Sequence, residues 1–127
     1  MTNYPVGDYL IRIKNAARAK QREVEAPPSK FLLSVGQALK KVGVLEEVSQ
    51  KDGVLVSRLA YHKKQPMLID LKLVSSPGLR RYMSVDEIMG RKRRNASVLI
   101  LSTPSGVMSS TEALKKNLGG EVIAEVW

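Results

Sequence analysis

The chain has 127 residues and carries a formal charge of +9, with 21 lysines and arginines against 12 acidic residues. That length allows one medium domain or two small ones sharing a core, and a 43% apolar share excludes wholesale disorder. The absence of cysteine excludes disulfides and thiolate metal sites and fits a reducing compartment.

Val6, Leu10, Ile13 and Ala17 recur at helical spacing, with Arg12, Lys14 and Arg18 away from that stripe. Pro5 suits the first turn of this helix. Glu23 to Ala26 predicts a short strand ended by Pro27-Pro28. Ser29 is then the N-cap of a second helix, with Leu32, Val35, Leu39 and Val42 on one face and Gly43 as its stop. Val44 to Val48 and Val54 to Ala60 flank Lys51-Asp52-Gly53, whose Asp-Gly marks a hairpin. Met67, Ile69, Leu71 and Leu73 alternate with Leu68, Asp70 and Lys72, the pattern of a half-buried strand. The first part therefore reads α-β-α-β-β-β.

Ser75-Ser76-Pro77-Gly78 is a turn cluster and marks the boundary between residues 1–75 and 76–127. Beyond it lie an extended piece near Leu79 to Met83, a helical turn near Val85 to Met89 and a buried strand from Val98 to Leu101. Ser109-Ser110-Thr111-Glu112 is a capping box opening a helix expected to run through Leu118 to Gly119. Glu121 to Trp127 is a final strand with Val122, Ala124 and Val126 on one face, and Trp127 is expected to pack against the C-terminal part. The fold class is α+β: two small contacting subdomains, the second mainly β with a short helix.

Both parts are net positive, with 13 basic to 7 acidic residues up to Ser75 and 8 to 5 after it. A polyanion would therefore contact both. Catalysis finds little support, since Walker loop, dinucleotide fingerprint and nucleophile elbow are all absent. The one histidine, His62, stands beside Lys63 and Lys64, far from Ser102 and Ser105, and a single His does not make a zinc site. No apolar run approaches the ~20 residues that span a bilayer, and the N-terminus carries no secretory pattern. No cofactor and no small-molecule substrate are expected.

Binding is the stronger theme. Ser102-Thr103-Pro104-Ser105-Gly106 follows directly on the apolar run Val98 to Leu101, so it forms a rigid, hydroxyl-rich turn at a strand end. Such hydroxyls either meet phosphates, 2′-hydroxyls and base edges, or bond their own backbone. Arg80-Arg81 before Tyr82 sets cations beside an aromatic ring, a pairing that grips phosphate and stacks on a base. Arg91-Lys92-Arg93-Arg94 is the densest positive run, either a phosphate clamp or a solvated turn.

The turn, its spacing to Gly119-Gly120-Glu121 and the closing strand resemble the C-terminus of the small-subunit ribosomal protein S-eight family. Asp8 to Ala16 resembles the family's opening helix, Pro27-Pro28-Ser29-Lys30 its Pro-Ser-Ser-Lys turn, and Ser75 to Tyr82 its Pro-Gly-Leu-Arg motif. The resemblance implies the same two-subdomain fold and a cytoplasmic, ribosomal protein. It would bind the central domain of small-subunit ribosomal RNA, early in assembly and among neighbouring ribosomal proteins. It implies direct RNA contact by Ser102, Thr103, Ser105 and Gly106, with Glu121 fixing the turn or accepting bonds from base or sugar. Arg12, Asn15, Ser29 and Lys30 match family positions near RNA. Ser105 stands where the family commonly has a basic residue, and Ser76 where it has an arginine. The run after Gly90 replaces a glycine-containing turn and offers electrostatic compensation. A regulator acting on messenger RNA and a basic module meeting an acidic protein are the alternatives.

Overall fold

A computed structural model describes residues 4–92 and 97–127. Helix α1 (Pro5–Arg18) starts on its proline and buries Val6, Tyr9, Leu10, Ile13, Ala16 and Ala17. Strand β1 (Glu23–Ala26) follows as the sequence predicts. Helix α2 (Lys30–Val42) is capped by Ser29, whose Oγ accepts from the Leu32 N–H at 3.2 Å, and is closed by Gly43 at φ +102°. Strands β2 (Leu45–Lys51) and β3 (Val54–Leu59) turn through Asp52-Gly53, both at positive φ. Antiparallel pairing orders this sheet β1-β3-β2.

The next segment departs from the alternation read in the sequence. A small hairpin of β4 (Tyr61–His62) and β5 (Gln65–Pro66) intervenes, and β6 is only Leu71–Leu73. Met67 and Ile69 face solvent, Ile69 at 77% exposure, whereas Leu68 is buried. Period-two patterning fails here because Leu68 inserts into the main core from an irregular link. Beyond it come β7 (Tyr82–Met83), α3 (Val85–Lys92), β8 (Val98–Thr103), β9 (Gly106–Ser109), α4 (Ser110–Lys115) and β10 (Gly120–Val126). The N-cap half of the expected capping box forms, with the Ser109 Oγ accepting from the Glu112 N–H at 3.2 Å, while the Glu112 carboxylate pairs with Lys41 and Lys116. The helix it opens ends at Lys115, short of Gly119, and Asn117 turns the chain at φ 57°.

The second sheet runs β6-β10-β8-β9, with β7 also on β10. Since β6 precedes Ser75, residues from both sides of that turn share this sheet. Its two faces go to different cores. Ile100, Ile123, Ala124 and Val126 join α1, α2 and the first sheet in one cluster, while Leu99, Leu101, Met108 and Val122 meet Ile88 and Ala113 from α3 and α4 in another. Alternation along β8 makes this division. In β10 the register slips between Val122 and Ala124, which lets Ile123 and Ala124 both reach the first core. The backbone of Trp127 bonds Ile69 and Asp70, but its side chain stays exposed, contrary to the packing expected of it.

Asp70 ties α1 to the start of β6. Its carboxylate accepts from the Leu71 N–H at 2.8 Å and meets Lys14 at 3.2 Å and Arg18 at 3.6 Å. The backbone bond, and then Lys14, hold its carboxyl below the usual aspartate range. A carboxyl depressed by folding adds stability above its unfolded pKa of about 3.9, and that increment disappears as pH falls through the folded value. Asp70→Asn should therefore lower Tm at neutral pH, and the gap to the parent should close as pH falls through the folded value. Thermal melts across pH check this; a gap that persists in acid would show a packing effect instead.

Candidate functional site

The hydroxyl-rich turn is a hairpin between β8 and β9, with Thr103 and Gly106 in register. Pro104 sets the first bend and Gly106 sits at φ +115°, where a side chain is strained. Thr103 is buried, and its Oγ1 accepts from the Ser105 N–H at 3.1 Å and donates to the Gly106 carbonyl at 2.7 Å. The hydroxyl proton is therefore spent inside the turn. Ser105 and Gly106 are exposed and Ser102 is half-buried. Neither serine hydroxyl makes a hydrogen bond among the described residues.

Tyr82, Glu121 and Ser102 are register partners on three adjacent strands, and Val107 continues the row. Partners opposite one another share a face, so phenol, carboxylate and hydroxyl line up across the sheet. The next row inward is Val122, Leu101 and Met108, buried beneath α3 and α4. Two glycines bring the strands together at this end. A Cβ on Gly119 would lie 2.5 Å from the Met83 carbonyl oxygen, and one on Gly120 would overlap the Ser102 carbonyl.

Arg80 joins this row to the N-terminal half. Its Nη1 bonds the Glu121 Oε2 at 3.1 Å, and the guanidinium lies 5.8 Å from the centre of the Tyr4 ring. The Tyr4 hydroxyl donates to the Ser75 carbonyl at 3.0 Å, and burial pushes its pKa above the usual phenol value. The Ser75 Oγ accepts from the Arg81 N–H at 2.9 Å and closes the base of the Ser76–Leu79 turn. Pro77 and Arg80 thus face Tyr4, Ser29 and Phe31 across a groove. A second cleft shares Pro5 and Leu32 with it and is lined by Arg12 and Pro27, and a third shares Arg12 and is lined by Asn15 and Gln21.

The structure therefore brings some of the residues singled out in the sequence together at one end of the second sheet. Ser102, Ser105, Gly106, Glu121, Tyr82 and Arg80 form this group, Ser29 lines the groove beside Arg80, Lys30 follows it as the first residue of α2, and Arg12 and Asn15 line a separate cleft. Several are already engaged. The Ser29 Oγ is the α2 cap, and Arg12 Nη1 donates to the Glu25 carbonyl at 2.8 Å. Tyr82 is 67% exposed. Arg91 stands apart: its Nη2 bonds Glu125 at 2.6 Å and Ser97 at 2.5 Å, about 13 Å along β10 from Glu121 at 3.3 Å per residue. Lys92 ends α3, while Arg93 and Arg94 lie outside the described residues. Sequence reasoning missed Tyr4 and Phe31. Phe31 falls outside the Leu32-Val35-Leu39-Val42 stripe, and that mismatch was its signal.

The family model described as ribosomal protein S8 matches residues 4–127. The chain is 37% identical to small ribosomal subunit protein uS8 of Nitratidesulfovibrio vulgaris strain Miyazaki F, over all of both chains. It is 39% identical to uS8 of Enterococcus faecalis over 97% of this chain and 96% of that one. Identity to uS8 of Anaeromyxobacter sp. strain K is 40%, with the same shares covered. The chain belongs to the ribosomal protein S8 family, which makes it a ribosomal protein and not an enzyme. No helix among the described residues is long and apolar enough to cross a membrane.

The glycine pair gives a direct test of this geometry. Gly120→Ala should destabilise the protein by about 1–3 kcal/mol, because the added methyl meets a backbone carbonyl and not a yielding side chain. Urea melts measure the loss; a stability unchanged within 0.5 kcal/mol, roughly the scatter of neutral surface changes, would mean that the strands separate freely here.

Proposed function

We propose that this protein binds the central domain of small-subunit ribosomal RNA through the row formed by Tyr82, Glu121 and Ser102 with the adjoining β8–β9 turn, and so supports subunit assembly among neighbouring ribosomal proteins. One observation carries this: two serine hydroxyls, at Ser102 and Ser105, stand without a partner among the described residues beside an exposed tyrosine and an arginine on one sheet end. Free hydroxyls suit 2′-hydroxyl and base-edge contacts, and an exposed tyrosine suits stacking on an unpaired base. The protruding backbone at Gly106 lets a nucleotide approach closely. In this reading residues 76–127 carry the specific contacts. Arg12, Asn15, Ser29 and Lys30, from residues 1–75, meet sugar and phosphate.

Thr103 takes a different role from its neighbours. Its hydroxyl braces the turn, so it positions Ser105 and Gly106 and does not read RNA itself. Ser102→Ala with Ser105→Ala should weaken binding to purified small-subunit RNA by several-fold or more, at about 1 kcal/mol per lost bond, with Tm nearly unchanged. Thr103→Val should lower stability by about 1 kcal/mol. Filter binding and thermal melts on the same preparations decide it. Unchanged affinity in the double-serine variant would overturn the proposed site, and an unchanged Tm with lost affinity in Thr103→Val would return that hydroxyl to the RNA.

A further inference from the structure

The hairpin of β4 and β5 has no part in the site described above. Its loop is two residues long, because His62 and Gln65 are in register, and both loop residues have positive φ: Lys63 at 51° and Lys64 at 67°. Such a turn favours Asn-Gly or Asp-Gly. The β2–β3 hairpin meets the same demand with Asp52-Gly53. Two lysines at left-handed positions are a local cost that the turn itself does not require.

The hairpin is also held against a second basic turn. The Tyr61 hydroxyl donates to the Gln21 carbonyl at 2.5 Å, and the Arg22 guanidinium lies 5.0 Å from the centre of the Tyr61 ring. The Leu59 N–H bonds the Arg22 carbonyl at 2.8 Å just before it. Lys20, at φ 55°, therefore adjoins the hairpin with Arg22, Lys63 and Lys64. All four are exposed. None of them forms an ion pair with a carboxylate among the described residues, whereas Lys14, Lys40, Arg80 and Arg91 each do. Cations grouped without counter-charge repel one another, and a polyanion relieves that repulsion while releasing its own counterions.

We infer that Lys63 and Lys64, with Lys20 and Arg22, form a second contact surface for the phosphate backbone of RNA, independent of sequence. It stands at the far end of α1 from Tyr4 and Arg80, about 21 Å away along a helix of 14 residues at 1.5 Å each. One phosphate cannot serve both ends, so the surface meets a separate stretch of the strand or a separate RNA element. The contact is electrostatic: the three lysines are point charges on flexible stems, and the Arg22 guanidinium lies over the Tyr61 ring. The inference rests on the RNA-binding reading, yet its residues and those of the β8–β9 turn do not overlap.

Replacing Lys63→Asn together with Lys64→Gly removes both charges and supplies the pair such a turn prefers, so the fold is retained or gains stability. Affinity of the full chain for purified small-subunit RNA and for a scrambled RNA of equal length is measured across a salt series. For two lost phosphate contacts the slope of log affinity against log salt should fall by about 1.4 to 1.8, equally for both RNAs, with Tm no lower than the parent's. An unchanged slope overturns the inference. If the slope holds while binding to poly-glutamate falls, the hairpin serves an acidic protein instead. A parent chain that prefers neither RNA would sink the proposed function alone, because the salt slope still reports on the hairpin.

Discussion

Strand β10 is the element on which the rest of the architecture hangs. One edge is shared in succession by β7 and β6, the other is taken by β8, and both faces are buried. Its single register slip feeds the side with two helices and a second sheet beneath it. A strand so enclosed tolerates few side-chain choices, and the Val122-Ile123-Ala124 run reflects that. The row proposed to bind RNA sits where this enclosure ends: Glu121 is the first residue of β10 with a side chain, and it lies between Tyr82 and Ser102.

Much of the frame was legible in the sequence because local chemistry and tertiary demand agreed. Ser29 and Gly43 bracket α2, Ser109 and Glu112 open α4, and Asp52-Gly53 closes a hairpin, each through bonds within a few residues. Legibility failed where a distant partner decided the outcome. Met67 and Ile69 look like one face of a strand, yet the backbone of Trp127 holds the link so that Leu68 points inward. Strand β9 was absent from the reading, since Gly106 to Ser109 is apolar only at Val107 and Met108 and needs β8 beside it to extend.

The candidate site divides in the same way. Residue type located the turn, but type alone could not say which hydroxyl was spent. Thr103 and Ser102 are adjacent and chemically alike, and only the hairpin geometry separates a brace from an open donor. Arg91 carries a similar lesson. In the sequence it opens a basic run, whereas in the fold it is the counter-charge of Glu125 and fastens the end of α3 to the sheet. A tally of cations therefore overstates the positive field by every arginine that is neutralised internally.

The Arg80–Glu121 pair bears on what the surface accepts. An anion arriving at Arg80 meets a guanidinium whose charge Glu121 already partly compensates, so it gains less there than at an unpaired cation. A ligand that also offers a donor to the Glu121 carboxylate and a flat ring to Tyr82 gains more. On the proposed RNA-binding reading, the ion pair trades raw attraction for discrimination.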